Sequence, residues 1–128
     1  MISEQQATLL AQPKIAVIGV NRTSGAPQLT AVWFAWDGKD FFFSTSKDRA
    51  KYVNIKRNPA ISLLIEDTAT FTTVVAYGQA EIIEHNVVEL TRPIIEKYVP
   101  EAQREDMLKS VANDPNRVIV VLHPEKII

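Results

Sequence analysis

The chain has 128 residues, of which 46% are hydrophobic and 23% charged, and its net charge is −1. This size and balance predict one globular domain over residues 1–128, and without an excess of basic residues no nucleic-acid partner is expected. No apolar run is long enough to span a bilayer, and no basic segment precedes the first apolar residues, so the predicted location is the cytoplasm. The chain has no cysteine, and its two histidines, His85 and His123, are far apart, so no metal site is predicted.

The first half of the chain is predicted to form a short helix, three strands and a second helix. Ser3 and Gln6 have the spacing of a capping box, and the helix that they begin should end before Pro13. Asp37 and Gly38 are typical of a hairpin turn. The predicted strands cover residues 14–21, 28–36 and 40–45, and the second helix covers residues 48–57.

The second half of the chain is predicted to contain strands over residues 60–66, 71–84 and 117–122, and helices over residues 87–98 and 100–112. Gly78 within a strand indicates a bulge or a close backbone approach. Asn86 is the predicted cap of a helix that Pro93 divides or kinks, and Pro100 begins the next helix. Short connections without repeated βαβ units predict a mainly β fold, an antiparallel sheet closing into a barrel with helices packed on it.

Hydroxyls and cations are concentrated where the third strand leads into the second helix. Ser44, Thr45 and Ser46 form a polar turn, and Ser46 or Asp48 is the predicted helix cap. The cations that follow are Lys47, Arg49, Lys51, Lys56 and Arg57. Such groups at a helix start are what a phosphate requires, so they predict an anion site, with a solvated charged helix face as the alternative.

Four segments of the chain, taken together, match one family. They are PQLTAVWF at residues 27–34, RAK with the following NI and NP at residues 49–59, VAYGQAEI at residues 75–82, and RVIVVLHPEKI at residues 117–127. In this order they resemble the pyridoxamine 5′-phosphate oxidase-like flavoproteins, and the RAK and PQLT segments look most like the small branch that binds flavin mononucleotide (FMN) or a deazaflavin. The resemblance implies an antiparallel split β-barrel of the FMN-binding type.

The resemblance also implies a set of cofactor contacts. By position they are Lys51 and its neighbour Arg49 at the phosphate; Ser44, Thr45 and Ser46 along the phosphate and ribityl chain; Val32, Trp33 and Phe34 beside the isoalloxazine ring; and Thr73, where the true oxidases carry a glutamine. Because a threonine replaces that glutamine, a flavin contact is altered or missing. Core or dimer packing is the alternative role for Trp33.

The function that the resemblance implies is an FMN-binding oxidoreductase acting on an unidentified small molecule. The alternatives are a reductase that uses the deazaflavin coenzyme F-420 and a flavin-binding protein without enzymatic activity. No nucleophile–base pair or carboxylate dyad is recognisable, as expected where the flavin carries the redox chemistry. The true oxidases have a C-terminal extension with substrate-binding arginines, which argues against vitamin B6 oxidation here. The resemblance further implies a homodimer with the cofactor between its subunits.

Overall fold

The computed structural model describes residues 2–128, and within them it contains one seven-stranded antiparallel sheet and four helices. The strands are β1 (Ala16–Val20), β2 (Gln28–Val32), β3 (Ala35–Trp36), β4 (Phe41–Ser46), β5 (Ala60–Asp67), β6 (Thr72–Ile83) and β7 (Arg117–Ile127). The helices are α1 (Glu4–Leu10), α2 (Ala50–Arg57), α3 (Val87–Tyr98) and α4 (Glu101–Ala112). The strand order is β2-β1-β5-β6-β7-β4-β3, and the sheet curls into a half-barrel, which confirms the predicted split-barrel fold.

The prediction of one continuous strand over residues 28–36 is wrong, because the chain breaks at Trp33 and Phe34. The two pieces, β2 and β3, lie at opposite edges of the sheet. At the break, the Phe34 N–H donates to the hydroxyl of Tyr98 (3.2 Å) and its carbonyl accepts from Lys97 Nζ (3.3 Å). Trp33 stacks on the Tyr98 ring at 4.9 Å. Side chains of α3 therefore replace the sheet hydrogen bonds that the broken strand gives up.

The main core lies on the concave side of the sheet. Along β4, Phe41 and Phe43 are fully buried while Phe42 and Ser44 between them are only partly covered, as expected for a strand with one face in the core. Each large apolar side chain buried in this way contributes about 1.5–3 kcal/mol to stability. The fully buried set also includes Leu9, Leu10, Ile18, Phe34, Ile55, Ile65, Val74 and Leu122.

Gly78 lies at a bulge, as predicted. The register between β6 and β7 shifts between Tyr77 and Gly78. A Cβ at Gly78 would collide with the main-chain carbonyl of His123, so only glycine fits here. The bulge lets the long strand β6 bend while it pairs with both β5 and β7.

The helix ends differ in part from the predictions. Ser3 and Gln6 form the predicted capping box of α1. Helix α2 begins later than predicted and has Arg49 as its N-cap, so the proposed Ser46 and Asp48 caps are wrong. The Arg49 N–H donates to the Ser46 carbonyl (3.0 Å), which places a tight turn between β4 and the helix.

Helix α3 is continuous across Pro93, so the predicted division of this segment is wrong. Ile94 and Ile95 are buried immediately after the proline, the first against the sheet and the second against α4. This packing offsets the one backbone hydrogen bond that proline removes. Asn86 holds the predicted N-cap position, although its side chain makes no capping hydrogen bond among residues 2–128.

Candidate functional site

A cavity of about 910 Å³ lies between the edge strand β2 and the end of β4, with α3 and α4 on another side. Its volume falls in the range of small-molecule sites. All the predicted contacts except Phe34 and Thr73 line it. The lining residues are Gln28, Thr30, Ala31, Val32, Trp33, Ser44, Thr45, Ser46, Asp48, Arg49, Ala50, Lys51, Thr91, Ile94, Ile95, Met107, Val111, Asp114 and Arg117.

The cavity lies in the gap between β2 and β4, where the strands do not pair and the barrel stays open. Strand β3 pairs only with Phe41 and Phe42, so β4 has an unpaired edge from residue 43 onward. The Lys47 N–H donates to the Asn116 carbonyl next to the β4–β7 pairing. Since hydrogen bonding alternates along an antiparallel strand, the main-chain N–H groups of Ser44 and Ser46 point away from β7, toward the free edge.

Lys51 is a partly buried cation of the cavity. Its Nζ donates to the Thr30 hydroxyl (3.2 Å) and lies 5.9 Å from the centre of the Phe43 ring. Burial lowers the pKa of Lys51, and the nearby charges of Arg49 and Arg117 lower it further. A half-buried cation beside two others is an unfavourable arrangement that an anionic ligand would relieve.

Arg117 is a site residue that the sequence did not reveal. It is the first residue of β7 and lies opposite Ser46 in the β4–β7 register. Its Nη1 donates to the Ser44 hydroxyl (3.3 Å), and its Nε lies 3.5 Å from a carboxylate oxygen of Asp114. The arginine was visible as the start of the RVIVVL strand, but only the strand order brings it beside the serine turn.

Two polar atoms of the cavity wall are buried without a partner. They are the Thr45 hydroxyl and the Gln28 side-chain carbonyl, neither of which is hydrogen-bonded within residues 2–128. Leaving such a group unsatisfied costs about 1–3 kcal/mol, so a ligand that approached them would recover part of that cost. Ser46 is engaged instead with Asp48, whose pKa its hydrogen bond lowers.

The remaining wall of the cavity is apolar. Val32 is buried, whereas Trp33 is 41% exposed and has its ring held by the stack on Tyr98. Helices α3 and α4 add Ile94, Ile95, Met107 and Val111. The sequence predicted both helices, but nothing in it indicated that they border the cavity. One wall can therefore contact a flat apolar group while the serine turn and cations meet an anion.

The structure places Phe34 and Thr73 away from the cavity. The Phe34 side chain is 1% exposed and lies in the core, with Lys97 Nζ 3.6 Å from its ring centre. Thr73 is exposed on β6, and its carbonyl accepts from Gln6 Nε2 (3.0 Å). Cofactor contacts by these and the other predicted residues stay predictions.

The whole described chain, residues 2–128, matches the sequence pattern of the family described as pyridoxamine 5′-phosphate oxidase. The chain belongs to this family. A solved F420 reductase is 28% identical, with 99% of this chain and 98% of that one covered and a TM-score of 0.79. A conserved hypothetical protein from Mycobacterium tuberculosis is 26% identical, with 99% and 83% covered and a TM-score of 0.82.

General stress protein 26 from Bacillus anthracis has a similar fold with lower sequence identity. It is 20% identical, with 97% of this chain and 89% of that one covered and a TM-score of 0.74. A search of curated proteins gave no match. These findings confirm the predicted family and the split-barrel fold of this family member.

Two further observations concern the predictions on membranes and metals. From residue 2 to residue 128, no helix combines the length and the apolar character that a membrane crossing requires. Over the same residues, no three side chains of the metal-binding types are grouped to hold an ion. His123 is instead paired with two carboxylates, Asp40 at 3.1 Å and Glu81 at 2.8 Å.

Proposed function

We propose that this family member is an oxidoreductase that binds FMN in the cavity between β2 and β4. The observation that carries the proposal is the meeting of Arg49 and Lys51 with the serine turn at a cavity whose other wall is apolar. A bound flavin accepts and donates hydride, and the protein supplies binding, orientation and electrostatics. The substrate is proposed to be a small molecule, and the cytoplasmic location stays a prediction.

The residues present fit the phosphate of such a cofactor. Lys51 and Arg49 supply positive charge, while Ser44 and Ser46 supply main-chain N–H groups at the free edge of β4. The unpartnered hydroxyl of Thr45 lies in the same turn. The apolar side chains of Val32 and Trp33 would flank the ring, because a flavin ring is flat and largely apolar on its faces.

The proposal is tested by titrating the purified protein with FMN and following its absorbance and fluorescence. In Arg49→Ala and Lys51→Ala we expect binding to weaken by about 1.5–3 kcal/mol each, the scale of a charged hydrogen bond. The matched control is Lys56→Ala, because Lys56 is exposed on the same helix, bonds to Tyr52 and lies outside the cavity. Unchanged affinity in both site variants would show that the phosphate assignment is wrong.

The second candidate is a reductase that uses a deazaflavin instead of FMN. The solved F420 reductase favours it, because its 28% identity extends over nearly all of both chains. The cofactor that co-purifies separates the two: FMN gives a yellow protein, whereas a deazaflavin gives its own fluorescence. Titration of the cofactor-free protein with each compound then ranks the affinities.

A flavin-binding protein without enzymatic activity is the third candidate. Steady-state oxidation of NAD(P)H in the presence of an electron acceptor, catalysed by the FMN-loaded protein, would contradict it. Absence of turnover with FMN and with the deazaflavin would instead favour this role over the reductase.

We also propose that two copies pair through the convex face of the sheet. Across β2, β1, β5 and β6, the register aligns Ala31, Val17, Leu64 and Val75 in one apolar row. Leu64 is 38% exposed and neighbouring Leu29 is 69% exposed. Ala31 also lines the cavity, so a second copy on this face would reach the cofactor site. A stable dimer buries about 800 Å² per partner, and a four-strand face can supply such an area.

The homodimer is tested by measuring the molar mass in solution of the protein and of two charged variants. Leu64→Glu should shift the protein from dimer to monomer, because it puts a carboxylate into the apolar row. Val53→Glu is the control, since Val53 is 59% exposed on α2. A monomeric wild-type protein, or a Leu64→Glu variant that stays dimeric, would refute this interface.

A further inference from the structure

Arg117 is contacted by the turn that precedes it. A carboxylate oxygen of Asp114 accepts from the Asn116 N–H (2.9 Å), and the Asp114 main-chain carbonyl accepts from the Arg117 N–H (3.3 Å). The other carboxylate oxygen lies 3.5 Å from Arg117 Nε. One aspartate therefore contacts both the turn and the guanidinium, so it can help to orient the arginine before a ligand arrives.

The guanidinium keeps donors that the fold does not use. Arginine carries five N–H donors. In this protein Nε faces Asp114 and Nη1 donates to the Ser44 hydroxyl (3.3 Å), while Nη2 meets no acceptor in the part of the chain that the structure describes. An ion pair as exposed as Arg117 with Asp114 contributes little to stability, so folding alone gives little reason for this placement.

The surroundings of Arg117 point to an anion with several acceptor oxygens. Arg49 and Lys51 line the same cavity, and the pKa of Lys51 is lowered first by burial and then by the charges of both arginines. Thr45, which is 3% exposed, belongs to the strand paired with β7 and has its hydroxyl unpartnered among residues 2–128. Three cations and a buried unpaired hydroxyl around one cavity match a phosphate better than a carboxylate, which has fewer oxygens.

We propose that Arg117 is a third phosphate-binding cation of the cofactor site, with Asp114 as the residue that positions it. The proposal rests on the function proposed above and adds a contact from β7 to those from the β4–α2 turn. The phosphate would then be held by the serine turn and the adjacent start of α2, together with the start of β7, which is distant in sequence.

The test compares FMN with riboflavin, which has the same ring but no phosphate. Both ligands are titrated against the wild type, Arg117→Ala and Arg117→Lys. Arg117→Ala should weaken FMN binding about 10- to 150-fold, the loss of one charged hydrogen bond, and leave riboflavin binding within about 3-fold. Arg117→Lys keeps the charge but not the fork of donors, so FMN should fall between the two.

Each other outcome overturns a distinct claim. Equal weakening of FMN and riboflavin would mean that Arg117 only supports the fold, and the third cation would be refuted. If FMN affinity is unaffected in Arg117→Ala but falls in Lys51→Ala, the third cation is refuted and the proposed function stands. If the wild type binds neither FMN nor the deazaflavin, the proposed function fails and this inference fails with it.

Discussion

Two half-buried lysines of this protein differ in what surrounds their ammonium groups. Lys97 on α3 donates to the main-chain carbonyls of Leu10 (2.8 Å) and Phe34 (3.3 Å) and lies 3.6 Å from the Phe34 ring centre. Lys51 on α2 has one hydroxyl partner, Thr30, and two cations nearby. The first lysine is surrounded by acceptors and the second by like charge.

The comparison shows that a lowered pKa alone does not mark a functional lysine. Burial lowers the pKa of Lys97 to about 8, and burial also lowers that of Lys51. The two lysines differ in their partners. Lys97 donates to main-chain carbonyls of the folded protein, whereas Lys51 faces an open cavity lined by further cations. We therefore assign Lys97 to the fold, at the break between β2 and β3, and keep Lys51 as a proposed ligand contact.

The largest effect on stability is expected at the break between β2 and β3, where side chains of α3 bind the main chain. Tyr98→Phe removes the hydroxyl that donates to the Lys14 carbonyl (2.5 Å) and accepts from the Phe34 N–H (3.2 Å). With two partly buried main-chain groups left unpaired, the free energy of unfolding should fall by about 2–4 kcal/mol in denaturant titrations. Tyr77→Phe is the control, since Tyr77 is 47% exposed, and it should change stability by less than about 0.5 kcal/mol. Equal losses of stability in both variants would show that the Tyr98 hydroxyl does not stabilise the break between β2 and β3.

Lys97→Met is expected to have the next largest effect. At pH 7 the two carbonyls lose a charged donor, so stability should fall by about 1–2 kcal/mol, less than for Tyr98→Phe because burial of the charge is also relieved. The pKa of Lys97, about 8, lies below its ordinary value of 10.5, so between these pH values the unfolded chain binds more protons. Unfolding free energy of the wild type should therefore rise across this window.

The matched control for this pH dependence is Lys109→Met, which changes an exposed lysine on α4. It should keep the rise between pH 8 and 10.5, whereas Lys97→Met should reduce it. An equal rise of the unfolding free energy in both variants would mean that Lys97 has the same pKa in the folded and unfolded protein. Lys97 could then no longer serve as the comparison for Lys51.

Local and long-range features of this protein differ in how far the sequence could predict them. The Ser44–Lys51 segment is local, so its hydroxyls, cations and turn were readable from neighbouring positions. The break at Phe34 depends on Tyr98, 64 positions further along the chain, and nothing between residues 28 and 36 signals it. Arg117 likewise enters the site only because β7 pairs with β4. Long-range pairing of strands, not local propensity, decided these features.

His123 gives a smaller, pH-dependent effect. Hydrogen bonds to Glu81 and then Asp40 raise the pKa of His123 above its ordinary 6.5. Its stabilising contribution is therefore complete below about pH 6.5 and is lost as the pH rises through the raised pKa. His123→Gln should lower stability at pH 6 by less than about 1 kcal/mol, because the pair is exposed and screened, and by less still at pH 9. His85→Gln, at an exposed histidine, is the control for the substitution itself.

Lys51→Ala should have the smallest effect on stability, although the effect proposed for it on FMN affinity is among the largest. The variant loses one hydrogen bond to Thr30 but also removes the repulsion from Arg49 and Arg117, so the free energy of unfolding without ligand should change by less than about 0.5 kcal/mol. Thr30→Val tests the same bond from the other side and should be equally mild. If Lys51→Ala instead cost as much stability as Lys97→Met, both lysines would serve the fold, and the cation cluster would lose its best argument for an anionic ligand.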